Sequence, residues 1–269
     1  MGSIDRLERI VRALPGAIVA YSGGADSAFL ADVAHEALGD RMVAVTAGSA
    51  SLAPDERVAA AALARARGWR HEEVETRELD RAGYRRNEPD RCYHCKTELF
   101  EMLDALAGSR RATVLVGTNL DDADDFRPGQ RAAREHGVRA PLLEAGLTKD
   151  EIRAASRARG LPTWDKPAQA CLSSRIAYGV EVTADRLDRV GRAEAFVRSL
   201  GFRQLRVRDH GDLARVEVPP HEIDRLVAER ERVSAVLKEL GFTYVTIDLE
   251  GFRSGSMNAV LLQLGRRDG

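Results

Sequence analysis

The stretch AYSGGADSAFL, residues 20–30, sets the reading of this chain. Two glycines, two serines and an aspartate separate a short apolar run from an alanine-rich segment. AIVAYS (17–22) reads as a buried strand and ADSAFLADVAHEALGD (25–40) as a helix that starts near Asp26 and stops at Gly39. The motif therefore sits on a strand-to-helix turn. Amides at a helix N-terminus carry partial positive charge, and glycines let that backbone approach a phosphate closely. Ser22, Gly23, Gly24 and Ser27 are the candidate cradle for the pyrophosphate of ATP, with Asp26 placed to help hold Mg²⁺. The turn lacks a lysine of the Walker type and lacks Gly-x-Gly-x-x-Gly, so neither the common P-loop nor a dinucleotide site fits.

Outward from this turn, strand and helix patterns alternate. RLERIVRAL (6–14) reads as an amphipathic helix, MVAVTAGS (42–49) as a strand and APDERVAAAALARARG (53–68) as a helix. WRHEEVET (69–76) is a strand, YHCKTELFEMLDALAG (93–108) a helix and TVLVGTN (113–119) a strand. RPGQRAAREHG (127–137) and TKDEIRAASRARG (148–160) continue as helices. Apolar strands alternating with helices predict an α/β fold, a parallel sheet covered on both faces. The pattern changes after about residue 182. Helix 183–202, strands 203–211 and 213–219, a long helix over 220–242 and a strand over 244–251 predict a smaller C-terminal α+β domain. The expected domains are 1–182 and 183–269. The pair Gly-Phe follows a helix twice, at 201–202 and 241–242, a weak pseudo-repeat.

Composition narrows the function. The 269 residues carry 41 basic and 42 acidic side chains, a formal net charge of -1, and only 5% aromatics. That balance gives no global field for nucleic acid. No apolar run approaches the roughly 20 residues needed to span a bilayer. The N-terminus lacks a signal-peptide core, and Gly2 lacks a myristoylation context. The expectation is a soluble cytoplasmic protein that binds neither membrane nor nucleic acid, with three cysteines not used in structural disulfides.

Those cysteines lie in RCYHCK (Cys92, Cys95) and QACLSSR (Cys171). Inert buried thiols, a redox dithiol of Cys92 and Cys95, a zinc site with His94, and a 4Fe-4S cluster on all three thiolates are open readings. His94 lies inside the Cys-x-x-Cys loop, which weakens zinc, and a dithiol leaves Cys171 unexplained. Cys171 precedes two hydroxyls and a guanidinium, a polar setting that favours thiolate. Arg206 and Arg208 sit two apart on a strand, hence on one face, where two guanidiniums suit a phosphate and otherwise make a solvated strand edge. Asp121, Asp122, Asp124 and Asp125 follow strand 113–119, at the end where parallel sheets bind ligands, as Mg²⁺ ligands or as a plain acidic loop. Arg127 and Lys96 are candidates to neutralise polyphosphate, and Trp164 reads as an anchor for the loop leading to Cys171.

SGGADS resembles the PP-loop of the ATP pyrophosphatase (adenine nucleotide α-hydrolase-like) superfamily. Taken with GTNLDDADDFRPG (117–129), APLLEAGLTKDEIR (140–153), GLPTWDKPAQACLSSRIAYG (160–179), RVRDHGDLARVEVP (206–219) and GFRSGSMN (251–258), the chain resembles the LarE family along nearly its whole length. These are PP-loop sulfur transferases of nickel-pincer cofactor (lactate racemase) biosynthesis. The resemblance implies that ATP adenylates the carboxylates of pyridinium-3,5-biscarboxylic acid mononucleotide, releasing pyrophosphate, and that sulfur then gives thiocarboxylates. It implies that Arg206, Arg208 and Arg253, with Ser174 and Arg175, bind the nucleotide substrate, and that Glu194 and Glu217 hold a divalent metal. In single-cysteine members the cysteine of the CLSSR motif, here Cys171, surrenders its sulfur and becomes dehydroalanine. The added Cys92 and Cys95 resemble the subgroup whose three cysteines bind a 4Fe-4S cluster that carries the sulfide. A homo-oligomer is implied as well. The rivals are a tRNA-thiolating PP-loop enzyme, which requires a basic RNA surface, an amidotransferase-like synthetase, which has no use for the cysteines, and a nucleotide-binding regulator without turnover.

Overall fold

The computed structural model describes residues 2–122, 128–167 and 171–253. Along the chain the elements are α1 (Ser3–Arg12), β1 (Ala17–Ala20), α2 (Ala25–Leu38), β2 (Met42–Gly48), α3 (Pro54–Ala66), β3 (His71–Glu75), α4 (Ala82–Arg85), α5 (Arg91–Arg110), β4 (Thr113–Leu115), α6 (Pro128–Glu135), α7 (Pro141–Glu144), α8 (Lys149–Ala158), α9 (Ala184–Ser199), β5 (Arg206–Asp209), β6 (Leu213–Glu217), α10 (Ile223–Ala228), α11 (Arg230–Glu239) and β7 (Tyr244–Ile247). They form two compact units, Met1–Glu78 with Cys92–Gln169, and Leu79–Arg91 with Ala170–Gly269.

The first unit is an α/β layer structure. Its sheet has the order β3-β2-β1-β4, and every pairing is parallel. Side chains alternate across the pleat, so each strand feeds two cores. Ala17, Val19, Met42, Ala44 and Leu115 pack with α1, α2, α3 and α8 through Leu7, Val11, Phe29, Leu30, Ala60 and Ile152. Ile18, Val43, Val45 and Val114 face the other way, onto Leu99, Phe100, Leu103 and Ala107 of α5 and Ala132 of α6. That double coverage is why β1 and β2 are apolar without interruption. Strand β3 is an edge, and its sequence HEEVE puts charge there, which blunts pairing with another chain. Arg57 of α3 binds Glu73 and Glu75 across it. Because β2 and β3 lie on one side of β1 and β4 on the other, the strand order reverses at the carboxyl ends of β1 and β4. That is the position where open α/β sheets hold ligands.

In the second unit β5 and β6 form an antiparallel hairpin, and β7 pairs parallel to β6. Val207, Ala214, Val216 and Val218 pack against Ala193 and Val197 of α9 and Val233 and Leu237 of α11. The two Gly-Phe pairs have a common role. Gly201 (φ 92°) and Gly241 (φ 96°) stop α9 and α11, and Phe202 and Phe242 drop into the core. The long helix expected over 220–242 is broken. A 3-10 turn at Pro220–Glu222 leads into α10, and the backbone leaves the helical region at Glu229 (φ -90°, ψ 9°) before α11. The Glu229 amide there donates to the Leu226 carbonyl, three residues back. Among the described residues no helix is long and apolar enough to cross a membrane.

Candidate functional site

The glycine turn is assembled by β1, α2 and their neighbours. The Thr46 hydroxyl donates to the Tyr21 carbonyl (2.9 Å) and fixes the end of β1. Gly23 adopts φ +74°, and a Cβ there would lie 3.0 Å from that of Ala60 in α3. Only glycine meets both demands. Gly24 is the N-cap of α2, and no side chain caps it. First-turn amides of such a helix suit an anion. The Ser27 hydroxyl accepts from the Ser22 amide (3.3 Å), donates to the Gly24 carbonyl (3.2 Å) and lies 3.1 Å from the Ser22 hydroxyl. Ser27 therefore closes the loop from inside, while Ser22 is exposed.

Strand β4 brings a second wall. A Cβ on Gly117 would come within 2.9 Å of the Ser27 amide nitrogen, so the β4 loop rests directly on the start of α2. Behind it lie Asn119 and Asp122, both buried. Asp26 Oδ1 and both amide atoms of Asn119 are buried and close no hydrogen bond of normal geometry. Burial pushes the Asp26 carboxyl above its ordinary pKa; Lys149 pulls it down and Asp122 pushes it up, for a net rise. A desolvated carboxylate with an open acceptor suits a cation such as Mg²⁺. In the acidic loop, Asp121 accepts the Lys149 amide (2.5 Å) at the start of α8, and Asp122 accepts the Asn119 amide (3.3 Å). Asp124, Asp125 and Arg127 lie outside the described residues. Lys96 is exposed on α5, and Trp164 lies 4.9 Å beneath the Arg157 guanidinium.

Cys92 and Cys95 occupy the first turn of α5, three residues apart and so on one face. Cys92 is exposed and Cys95 half-buried, and neither is in a disulfide. Among the described residues no group of three or more His, Cys, Asp or Glu is arranged to hold a metal ion.

In the second unit Cys171 begins a 3-10 turn, Leu172–Arg175. Its carbonyl accepts from the Ser174 amide (3.0 Å), the Ser174 hydroxyl (2.7 Å) and Arg175 Nη1 (3.2 Å). Its sulfur lies 3.0 Å from the Ser173 hydroxyl. Arg91 Nη1 donates to the Ser173 carbonyl (2.9 Å) and to Asn87 Oδ1. Asn87 is fully buried, sits at φ +56° and donates to the carbonyls of Ile176, Ala177 and Val180. Residues 79–91 thus buttress the cysteine loop. Cys171 remains exposed along part of its surface. The packing around its sulfur alone pushes the thiol pKa up, but Arg91, the Ser173 hydroxyl and Arg175 pull it further down, to below the ordinary thiol value. That favours the nucleophilic thiolate.

The arginines and glutamates of the second unit form one network. Arg175 and Glu194 are 1% and 3% exposed and pair through two bonds, 2.8 and 3.3 Å. Arg208 pairs with the buried Glu217 through two bonds, 3.0 and 2.9 Å, and donates to the Ser174 carbonyl (3.0 Å). Arg215 joins at Glu217 and at Asp248, and Arg253 reaches Asp248 and Glu250. Arg206 stacks over Phe252 at 4.9 Å. Burial first, then Arg175 and Arg208, push its pKa down to about 10, against Glu194 and Glu217. A cation strained in this way gains most from an arriving anion. The structure thus gathers Ser174, Arg175, Arg206, Arg208, Glu194 and Glu217 around the cysteine turn, and it places the two glutamates in arginine pairs. Asn87, Arg91, Arg215 and Lys166 were not singled out by the sequence reading. Lys166 and Arg215 lie inside motifs that carried the resemblance, and Arg91 opens the RCYHCK stretch; for Asn87, no local signal exists.

No family model matches the chain. Among known proteins, an uncharacterized protein of Synechocystis sp. is 46% identical over 261 residues, covering 96% of this chain and 97% of that protein. The pyridinium-3,5-bisthiocarboxylic acid mononucleotide synthase of Lactiplantibacillus plantarum is 40% identical over 245 residues, covering 90% of this chain and 89% of the synthase. An uncharacterized protein of Methanocaldococcus jannaschii is 31% identical over 170 residues, 63% of this chain and 66% of that protein. With likeness to the synthase of this extent, over 90% of its length, the chain belongs to the LarE family, that of the pyridinium-3,5-bisthiocarboxylic acid mononucleotide synthase.

Proposed function

We propose that the chain is an ATP-dependent sulfur transferase acting on pyridinium-3,5-biscarboxylic acid mononucleotide. A substrate carboxylate oxygen attacks the α-phosphorus of ATP, pyrophosphate leaves, and an acyl-adenylate forms. The Cys171 thiolate attacks the acyl carbon, AMP leaves, and a thioester links substrate to protein. Loss of the Cys171 Cα proton to a base then expels the thiocarboxylate and leaves dehydroalanine. A second round on the other carboxylate needs a second sulfur. Ser22, Gly23, Gly24 and Ser27 cradle the pyrophosphate, Asp26 takes Mg²⁺, and Arg206, Arg208 and Ser174 receive the phosphate of the nucleotide substrate. The observation that carries this reading is the Cys171 turn, whose carbonyl accepts three hydrogen bonds and whose thiol pKa is lowered. The test is one reaction with ATP and substrate followed by mass analysis of protein and product. Thiolated product together with loss of hydrogen sulfide from Cys171 supports sacrifice; no pyrophosphate and no thiolated product sinks the proposal.

A second reading is favoured by the two further cysteines on one face of α5, neither of them in a disulfide. There Cys92, Cys95 and Cys171 bind a 4Fe-4S cluster. Three thiolates suit such a cluster chemically, although no three-ligand group is assembled among the described residues. When bound, it would supply an open iron for exchangeable sulfide. The expected result is iron and cluster absorbance after anaerobic reconstitution, intact Cys171 after reaction, and single-turnover behaviour in Cys92→Ala. Multiple turnovers by Cys92→Ala would end this reading.

A further inference from the structure

The phosphate-binding turn has no lysine in its own sequence, yet the structure brings one to it from 143 residues away. Lys166 Nζ donates to the Gly23 carbonyl at 3.0 Å. The same ammonium pairs with Glu56, in the first turn of α3, at 2.5 Å, and the two side chains are 20% and 16% exposed. The peptide between Gly23 and Gly24 joins two residues without a Cβ, and Gly23 takes φ +74°. It is also the peptide whose N–H belongs to the cap residue of α2. In a trans peptide the carbonyl and N–H point in opposite directions. A cation held on the Gly23 oxygen therefore fixes the orientation of the Gly24 N–H and polarises it as a donor. Glu56 holds the ammonium in place from α3, the helix against which Gly23 packs.

We infer that Lys166 is a positioning residue of the phosphate cradle, acting through the Gly23–Gly24 peptide to set that amide for the pyrophosphate group. The inference rests on the ATP reading given above. It makes Lys166 a determinant of phosphate affinity and leaves it without a part in recognising the nucleoside.

The test uses the full chain and two probes, inorganic pyrophosphate with Mg²⁺ and AMP, each titrated calorimetrically. Lys166→Met is expected to weaken pyrophosphate by about tenfold or more, the size of one charge-assisted hydrogen bond, while AMP stays within about twofold. Because Lys166→Met strands the Glu56 carboxylate, the double variant Lys166→Met/Glu56→Gln is measured beside it, and the same split between probes is expected. Pyrophosphate bound as tightly by these variants as by the wild type overturns the inference. So does an equal loss for AMP and pyrophosphate, which marks a merely structural lysine. A wild-type protein that binds neither ATP nor pyrophosphate overturns the ATP reading itself, and the inference with it.

Discussion

Cys171→Ala is expected to abolish thiocarboxylate formation, a loss of at least about a thousandfold for a covalent nucleophile, while pyrophosphate release continues. The geometry explains why the two activities should separate. The turn that presents Cys171 is held through the residue's backbone carbonyl, which accepts from the Ser174 amide, the Ser174 hydroxyl and Arg175. Alanine keeps all three bonds. The substitution removes the sulfur and its 3.0 Å contact with Ser173, and little else. In the proposed mechanism adenylation depends on the turn after β1, whose parts are bonded to one another and packed on α3. The measurement is parallel: pyrophosphate by a coupled assay, product by mass spectrometry, both with ATP and the biscarboxylic mononucleotide. Thiolated product at the wild-type level from Cys171→Ala would remove Cys171 from the mechanism under either sulfur source. Loss of pyrophosphate release together with product would mean that the thiol serves adenylation instead, and the proposed order of steps would fail.

The parts of the molecule that were legible in the sequence are those that depend on neighbours along the chain. Uninterrupted apolar strands such as AIVA and MVAVTAG have both faces covered, so the double-sided parallel sheet followed directly from them. SGGADS identified the turn because its glycines are needed locally, for a positive φ at Gly23 and a close helix start at Gly24. What escaped notice depends on partners distant in sequence. Lys166 acts on Gly23 across 143 residues. Asn87 looks like an ordinary loop residue, but its side chain takes the place of backbone partners for the carbonyls of 176, 177 and 180. The break at Glu229 was hidden because the apolar spacing of Leu226, Val233 and Leu237 suits a continuous helix. Glu194 and Glu217 could be picked out only by resemblance. The pairing of Glu217 with Arg208 is a matter of strand register, since β5 sets Arg206 opposite Glu217 and leaves Arg208 beside the same carboxylate, and that of Glu194 with Arg175 joins α9 to the cysteine turn 19 residues away in sequence.

That pairing sets up the largest expected effect on stability. Glu194 accepts two bonds from Arg175 and one from the Val207 amide (3.1 Å), all inside the second unit. Glu194→Ala removes every one of these acceptors at once. It strands a guanidinium that is 1% exposed and leaves a buried strand amide without its partner. Breaking a buried pair from one side costs about 3–5 kcal/mol, which corresponds to a fall in Tm of roughly 10 °C or more for a unit of this size. Replacing both partners by apolar residues, Arg175→Met with Glu194→Leu, removes the stranded charge, and most of the loss should return. The series also separates two roles for the glutamate. If Glu194 and Glu217 serve chiefly as counterions, a chelator leaves the wild-type Tm where it was, and Glu194→Gln, which keeps an oxygen for Val207 or Arg175, falls between wild type and Glu194→Ala. If they hold a divalent metal, as the resemblance implies, a chelator lowers the wild-type Tm, added metal restores it, and the shift vanishes in Glu194→Gln. A Glu194→Ala protein within about 1 kcal/mol of wild type by urea denaturation would mean that the buried pair is not what holds the cysteine turn to β5.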